Sequence, residues 1–123
     1  MPTWDKFISL ANEYMSSETT KIFGYYCDNQ VIGIIVISQN QDESHEIKGI
    51  AVNSKFRKHG IGKRLIHYVC DELPISMLLA ETDDDAVGFY RRCGFETQAF
   101  IRTFDSGECW RYRCILLPNR HHL

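Results

Sequence analysis

The sequence predicts an α/β (α+β) sandwich in which a mixed sheet is flanked by helices, and three features predict it. Two apolar β-rich runs are joined by a polar turn, a third strand feeds a glycine turn that opens a helix, and a nearly continuous apolar run follows that helix. The chain has 123 residues, of which 44% are hydrophobic, enough for one core and too few for two domains.

The opening "TWDKFISLANEYM" places Trp4, Phe7, Ile8, Ala11, Tyr14 and Met15 at helical spacing, with Thr3 or Asp5 available as the cap. Residues 22–27 and 31–38 are strands of a hairpin around Asp28, Asn29 and Gln30. After the polar loop "QNQDES", the segment "HEIKGIAV" makes a third strand. Ile61, Leu65, Ile66, Val69 and Leu73 recur at helical spacing and stop before Pro74, which disfavours helix in the residue preceding it. "ISMLLAET" reads as a strand covered on both faces. "DDDAVGFYRRCG" reads as a short helix with aspartates at its positive end and Gly94 as its stop. "FETQAFIRTF", "DSGE" and "CWRYRCILL" complete a terminal hairpin, on which Trp110 and Tyr112 read as packing residues. The strand, helix and strand from Glu46 to Thr82 should form a crossover between parallel strands.

Charge and cysteine usage narrow the function. A net charge of −2 is unlike that of a general nucleic-acid binder, so any anion site must be local. The five cysteines lack CxxC or metal-ligand spacing and read as small core hydrophobes, so no metal is expected. With no apolar signal region at "MPTWDKF" and no apolar run of membrane-spanning length, the chain reads as a cytoplasmic protein with reduced thiols and no membrane partner. His45 and His59 read as surface residues.

"RKHGIGKRL" is the local anion site that these totals leave room for. A helix start presents unpaired backbone N–H groups and about half a positive charge. Gly60 and Gly62 let the backbone come close, while Arg57, Lys58, Lys63 and Arg64 add charge at the rim. The spacing fits neither common phosphate loop: Leu65 stands where a dinucleotide fingerprint needs its third glycine, and the lysine is not followed by Ser or Thr. Four clustered charges without an aromatic platform suit a single phosphate group better than a nucleic-acid track.

The flanking segments identify which phosphate. "IAVNSKFRKHGIGKRLIHYV" resembles the acetyl-CoA-binding segment of the GNAT superfamily of N-acetyltransferases, whose loop reads Arg or Gln, two residues, Gly, any residue, Gly or Ala. "LLAETDDDAVGFYRRCGFE" resembles that family's second segment, ending in FYxxxGF at Phe89, Tyr90, Gly94 and Phe95. The resemblance implies a GNAT-like, mostly antiparallel sheet with a shortened N-terminal region, residues 1–117 as a single domain and residues 118–123 as a flexible tail. Backbone pairing of Ile50, Ala51 and Val52 with the pantetheine arm is implied. So is a diphosphate grip by the amides of Lys58, His59, Gly60, Ile61, Gly62 and Lys63, with Arg57, Lys58 and Lys63 as charge partners. The strand at residues 79–82 should splay from Val52 to leave a wedge, with Phe89 and Tyr90 near the thioester.

The activity so implied is transfer of acetyl from acetyl-CoA to a primary amine by direct attack in a ternary complex. A free alkylamine has a pKa near 10.4, so a base helps at neutral pH, and the leaving thiolate benefits from an acid. The resemblance makes Tyr90 the acid and suggests Glu46 as the base, with Glu81 or a water chain as rivals. Two departures bear on this. About twenty residues precede the hairpin where the family has a longer region, which leaves room for completion by a second subunit in a homodimer. Asp83 stands where the family often has a cofactor-contacting asparagine, and a carboxylate there still suits a helix cap. A coenzyme-binding sensor or interaction module without turnover is the alternative reading, and the amine acceptor is not legible in the sequence.

Overall fold

The computed structural model describes residues 18–118; the predicted helix at residues 4–15 and tail residues 119–123 lie outside them. Strand β1 (Thr20–Cys27) turns into β2 (Gln30–Gln39) through Asp28 and Asn29. Both have positive φ, 51° and 66°, as a two-residue type I′ hairpin requires, and short polar side chains tolerate that region. Next come β3 (His45–Val52), a 3₁₀ turn (Ser54–Phe56), helix α1 (Ile61–Glu72), β4 (Leu78–Thr82), helix α2 (Val87–Arg92), β5 (Glu96–Phe104) and β6 (Gly107–Leu116). One six-stranded sheet results, in the order β1-β2-β3-β4-β6-β5, antiparallel except where β3 meets β4. The hairpins, the parallel crossover and the mixed sheet agree with the sequence reading.

Helix α1 buries Ile61, Leu65, Ile66 and Val69, and it stops where Leu73 turns extended ahead of Pro74. That stripe packs on Ile35 and Ile37 of β2, Ile47 of β3, Leu78 and Ala80 of β4, and Cys114 of β6. Each such aliphatic side chain contributes about 1.5–3 kcal/mol on full burial. Contact with β2 is close because Gly33 has no side chain: a Cβ there would lie 2.9 Å from Ile61 Cγ2 and 3.2 Å from Leu65 Cδ1. The helix is thereby fixed against the strand, and its N-terminus is held over the end of β3.

Four expectations are corrected. The strand predicted at "ISMLLAET" begins only at Leu78 and is not covered on both faces, since Leu78, Ala80 and Thr82 turn inward while Glu81 is exposed. Trp110 is 54% exposed and is not a packing residue, because the outer part of the β5–β6 hairpin runs beyond the reach of β4. Among the cysteines only Cys93 and Cys114 are buried; Cys70 is half-buried, and Cys27 and Cys109 are exposed. His45 is buried, with only 5% of its surface exposed, and its Nδ1 has no hydrogen-bond partner. It shares the helix-facing side of β3 with Ile47, two residues on, so strand alternation buries it although a polar loop precedes it.

A pH dependence follows from His45. Burial, reinforced by Lys21, holds its pKa below the ordinary 6.5. The unfolded chain therefore binds this proton more readily than the folded one, and stability falls as pH drops through about 6.5. Urea titrations should show a lower midpoint at about pH 5.5 than at about pH 7.5, and His45→Leu should flatten that difference. An unchanged difference in the variant would remove His45 from this role.

Candidate active site

The site is built where two neighbouring strands part. β3 and β4 pair only at His45–Leu78 and Glu46–Leu79. A β-bulge explains the parting: between Val36 and Ile37 of β2 the register skips Lys48, and such an extra residue bends its strand. From Ile47 to Val52, β3 remains paired to β2 while its other edge has no ladder partner among the described residues. Ile50, Ala51 and Val52 therefore border an open wedge, as the expected splay of residues 79–82 from Val52 requires.

The glycine turn caps the wide end of this wedge. Lys58 and Gly60 both have left-handed backbone, φ 69° and 74°, on either side of His59. For a lysine that conformation is uncommon, and such strain concentrates at functional turns. The first α1 hydrogen bond runs from the Arg64 N–H to the Gly60 carbonyl, and no side chain caps the helix. The N–H groups of Ile61, Gly62 and Lys63 thus have no partner within the helix. A Cβ on Gly60 would meet nothing within 4 Å among the described residues, so the space beside this turn residue is open.

The basic residues divide in role. Arg64 donates to the Tyr25 hydroxyl at 2.9 Å, tying the helix to β1, and Arg57 Nε reaches the Val52 carbonyl at 3.5 Å. Lys58 and Lys63 are exposed and make no ion pair among the described residues. Arg57, Lys58 and Lys63 thus surround a set of bare amides, while Arg64 serves the fold.

Helix α2 brings in the second motif. A Cβ on Gly62 would lie 2.9 Å from Phe89 Cε1 and 3.9 Å from Ile50 Cδ1. Three elements from distant parts of the chain therefore converge at Gly62: Ile50 of β3, the start of α1 and Phe89 of α2. Asp83 stands before α2 and accepts a hydrogen bond from the Ala86 N–H at 3.0 Å, while no side chain caps the helix itself. Asp84 accepts one from the Tyr112 hydroxyl at 2.5 Å.

Tyr90 is 6% exposed and packs edge-on against Phe89 and Phe95, with ring centroids 5.2 Å away in each case. Its hydroxyl makes no hydrogen bond among the described residues. Burial, with Cys114 and Cys93 adding to it, raises its pKa far above the usual phenol range, so the proton is retained at any physiological pH.

The two carboxylates differ. Glu46 lies at the closed end of the wedge, half-buried, with Lys48 Nζ at 3.3 Å. Burial alone would raise the Glu81 pKa, but hydrogen bonds from Arg102 and Arg111 outweigh it and hold the carboxyl below its ordinary value. A carboxylate so held is a poor proton acceptor, which disfavours Glu81 as the base. The sequence reading overlooked these arginines, although Arg111 and Arg113 stand at strand period two and so share one face.

The chain as a whole has relatives among known proteins. A family model described as "Acetyltransferase (GNAT) domain" matches residues 18–97. The chain belongs to the GNAT acetyltransferase family. Streptothricin acetyltransferase A of Bacillus subtilis (strain 168) is 34% identical over 88 residues, covering 67% of this chain and 51% of that protein. This GNAT chain thus spans about half the length of that curated relative. A candidate streptothricin acetyltransferase from Bacillus anthracis str. Ames, solved with acetyl coenzyme A, has 29% identity and a TM-score of 0.72, covering 87% of this chain and 67% of that one. A GNAT family acetyltransferase from Elizabethkingia anophelis with acetyl-CoA bound shares the fold at 23% identity and a TM-score of 0.69, over 89% of this chain and 82% of its own. No helix among the described residues is long and apolar enough to cross a membrane.

Proposed function

We propose that the chain transfers acetyl from acetyl-CoA to a primary amine by direct attack in a ternary complex. The convergence at Gly62 of bare α1 amides, Ile50 from the unpaired stretch of β3 and Phe89, with Tyr90 packed beside that ring, carries this reading. A diphosphate at the turn meets the amides of Ile61, Gly62 and Lys63 and the charges of Arg57, Lys58 and Lys63. The pantetheine arm, an extended chain with its own amides, hydrogen-bonds along the free edge of Ile50, Ala51 and Val52. The thioester then lies inside the wedge.

The attacking amine must be neutral, and Glu46 is the side chain proposed to take its proton, directly or through water. Attack on the thioester carbonyl forms the C–N bond, and collapse of the tetrahedral intermediate expels the thiolate. Tyr90 gives that thiolate its proton. Burial keeps this hydroxyl protonated while weakening it as an acid, so the transfer draws on the raised basicity of a thiolate desolvated in the same wedge, and no hydrogen bond among the described residues competes for the donor.

The test is thermal shift with acetyl-CoA followed by an amine panel with thiol-release detection. Stabilisation by the cofactor and amine-dependent thiol release are expected. Stabilisation without release for any amine would leave a coenzyme-binding module without turnover, and no stabilisation at millimolar acetyl-CoA would contradict both readings.

A further inference from the structure

The sheet face away from the helices carries a charge arrangement that the acetyl-CoA site does not use. Along β4, Leu78 and Ala80 join the helix-facing core, so Leu79 and Glu81 point to the opposite face. In register beside Glu81 stands Arg113 of β6, and one step further out Arg111 pairs with Phe100 of β5. The Glu81 carboxylate accepts hydrogen bonds from Arg102 Nε at 3.1 Å, Arg102 Nη2 at 2.5 Å and Arg111 Nε at 3.2 Å. Arg102 and Arg113 both lie over the Phe100 ring, 5.3 and 5.5 Å from its centroid. Two guanidiniums, those of Arg102 and Arg111, therefore share one carboxylate, and the third, Arg113, makes no ion pair among the described residues. Glu96, on the same face two residues before Gln98, makes no ion pair with them either.

The position of this cluster gives it a meaning. Glu81 lies two residues beyond Leu79, the last β4 residue paired to β3, so it forms the rim of the wedge. The helix side of the wedge is filled by α1, α2 and their core, and Arg102 and Arg113 stand exposed on the opposite face, the side offered to a second substrate. A guanidinium fixed by ring stacking presents a rigid fork of donors that matches a carboxylate, whereas the cluster's excess positive charge repels a polycation.

We propose that the acceptor is an amine that also bears a carboxylate, and that Arg113, with Arg102 and Arg111 beside it, holds that carboxylate. This rests on the acetyltransferase reading above. A free amino acid or a short peptide supplies the same chemistry, and the two are told apart by turnover.

The experiment uses the full chain saturated with CoA, so that the glycine turn is already occupied. Arginine Nε–H signals are followed by NMR during titration with glutarate and, separately, with 1,5-diaminopentane. Glutarate should shift the signals of Arg113, Arg102 and Arg111 saturably, the diamine should not, and Arg113→Gln should weaken the glutarate response about tenfold. In a turnover arm, 6-aminohexanoate and glycylglycine are compared with hexylamine. The carboxylated amines should have the lower KM, and Arg113→Gln should raise that KM about tenfold with little change in kcat. No shift with glutarate, or an equal response to the diamine, overturns the proposal. Turnover that favours hexylamine overturns it while leaving the acetyltransferase reading intact; glutarate binding without turnover of any amine supports the anion site and removes the acetyltransferase reading instead.

Discussion

Replacing Tyr90 by phenylalanine is expected to lower turnover at saturating acetyl-CoA by about a hundredfold or more, with the Kd for acetyl-CoA nearly unchanged. The substitution keeps the ring that packs against Phe89 and Phe95, so the fold should survive, and it deletes only a hydroxyl without a hydrogen-bond partner among the described residues. What is lost is the proton for the leaving thiolate. Because burial raises the Tyr90 pKa, the wild-type rate should climb with pH as the amine deprotonates and should show no alkaline decline below about pH 10. Steady-state rates across pH check both statements. Unchanged turnover in the variant would remove Tyr90 from the acid role, and a decline near neutral pH would show a different acid.

Replacing Gly60 by valine is expected to weaken acetyl-CoA binding by at least about thirtyfold, the loss of one or more charge-assisted hydrogen bonds. Gly60 has φ 74°, which a β-branched residue adopts only under strain, of order 1–3 kcal/mol. A Cβ there meets nothing within 4 Å among the described residues, so apart from that strain the fold should tolerate the change. The valine methyl groups instead enter the space assigned to the diphosphate. Gly60→Asn separates the two effects, since asparagine accepts the left-handed backbone and should restore stability without restoring full affinity. Calorimetric titration of the three proteins reads the outcome, and wild-type affinity in the valine variant would contradict the backbone grip.

Much of this architecture is legible in the sequence because its causes are local. Asp28 and Asn29 fix a hairpin turn by their own conformational tolerance, the stripe from Ile61 to Val69 fixes a helix, and Pro74 fixes where it stops. The glycine turn is legible for the same reason. What the sequence hides arises between distant segments. Nothing in "HEIKGIAV" announces that Lys48 is skipped in the register with β2, yet that bulge accompanies the opening of the wedge. His45 follows a polar loop but inherits the buried side of its strand from alternation with Ile47. The tryptophan at 110 has the composition of a core residue, and only the short reach of β4 leaves it outside. Glu81 looks like a free carboxylate until two arginines from the terminal hairpin close on it.

The most direct test is a crystal structure of the protein with acetyl-CoA. It should show the coenzyme's diphosphate within hydrogen-bond distance of the Ile61, Gly62 and Lys63 amides, its pantetheine arm along Ile50 to Val52, and its sulfur beside the Tyr90 hydroxyl. A coenzyme bound away from the α1 N-terminus, or a sulfur out of reach of Tyr90, would contradict the account.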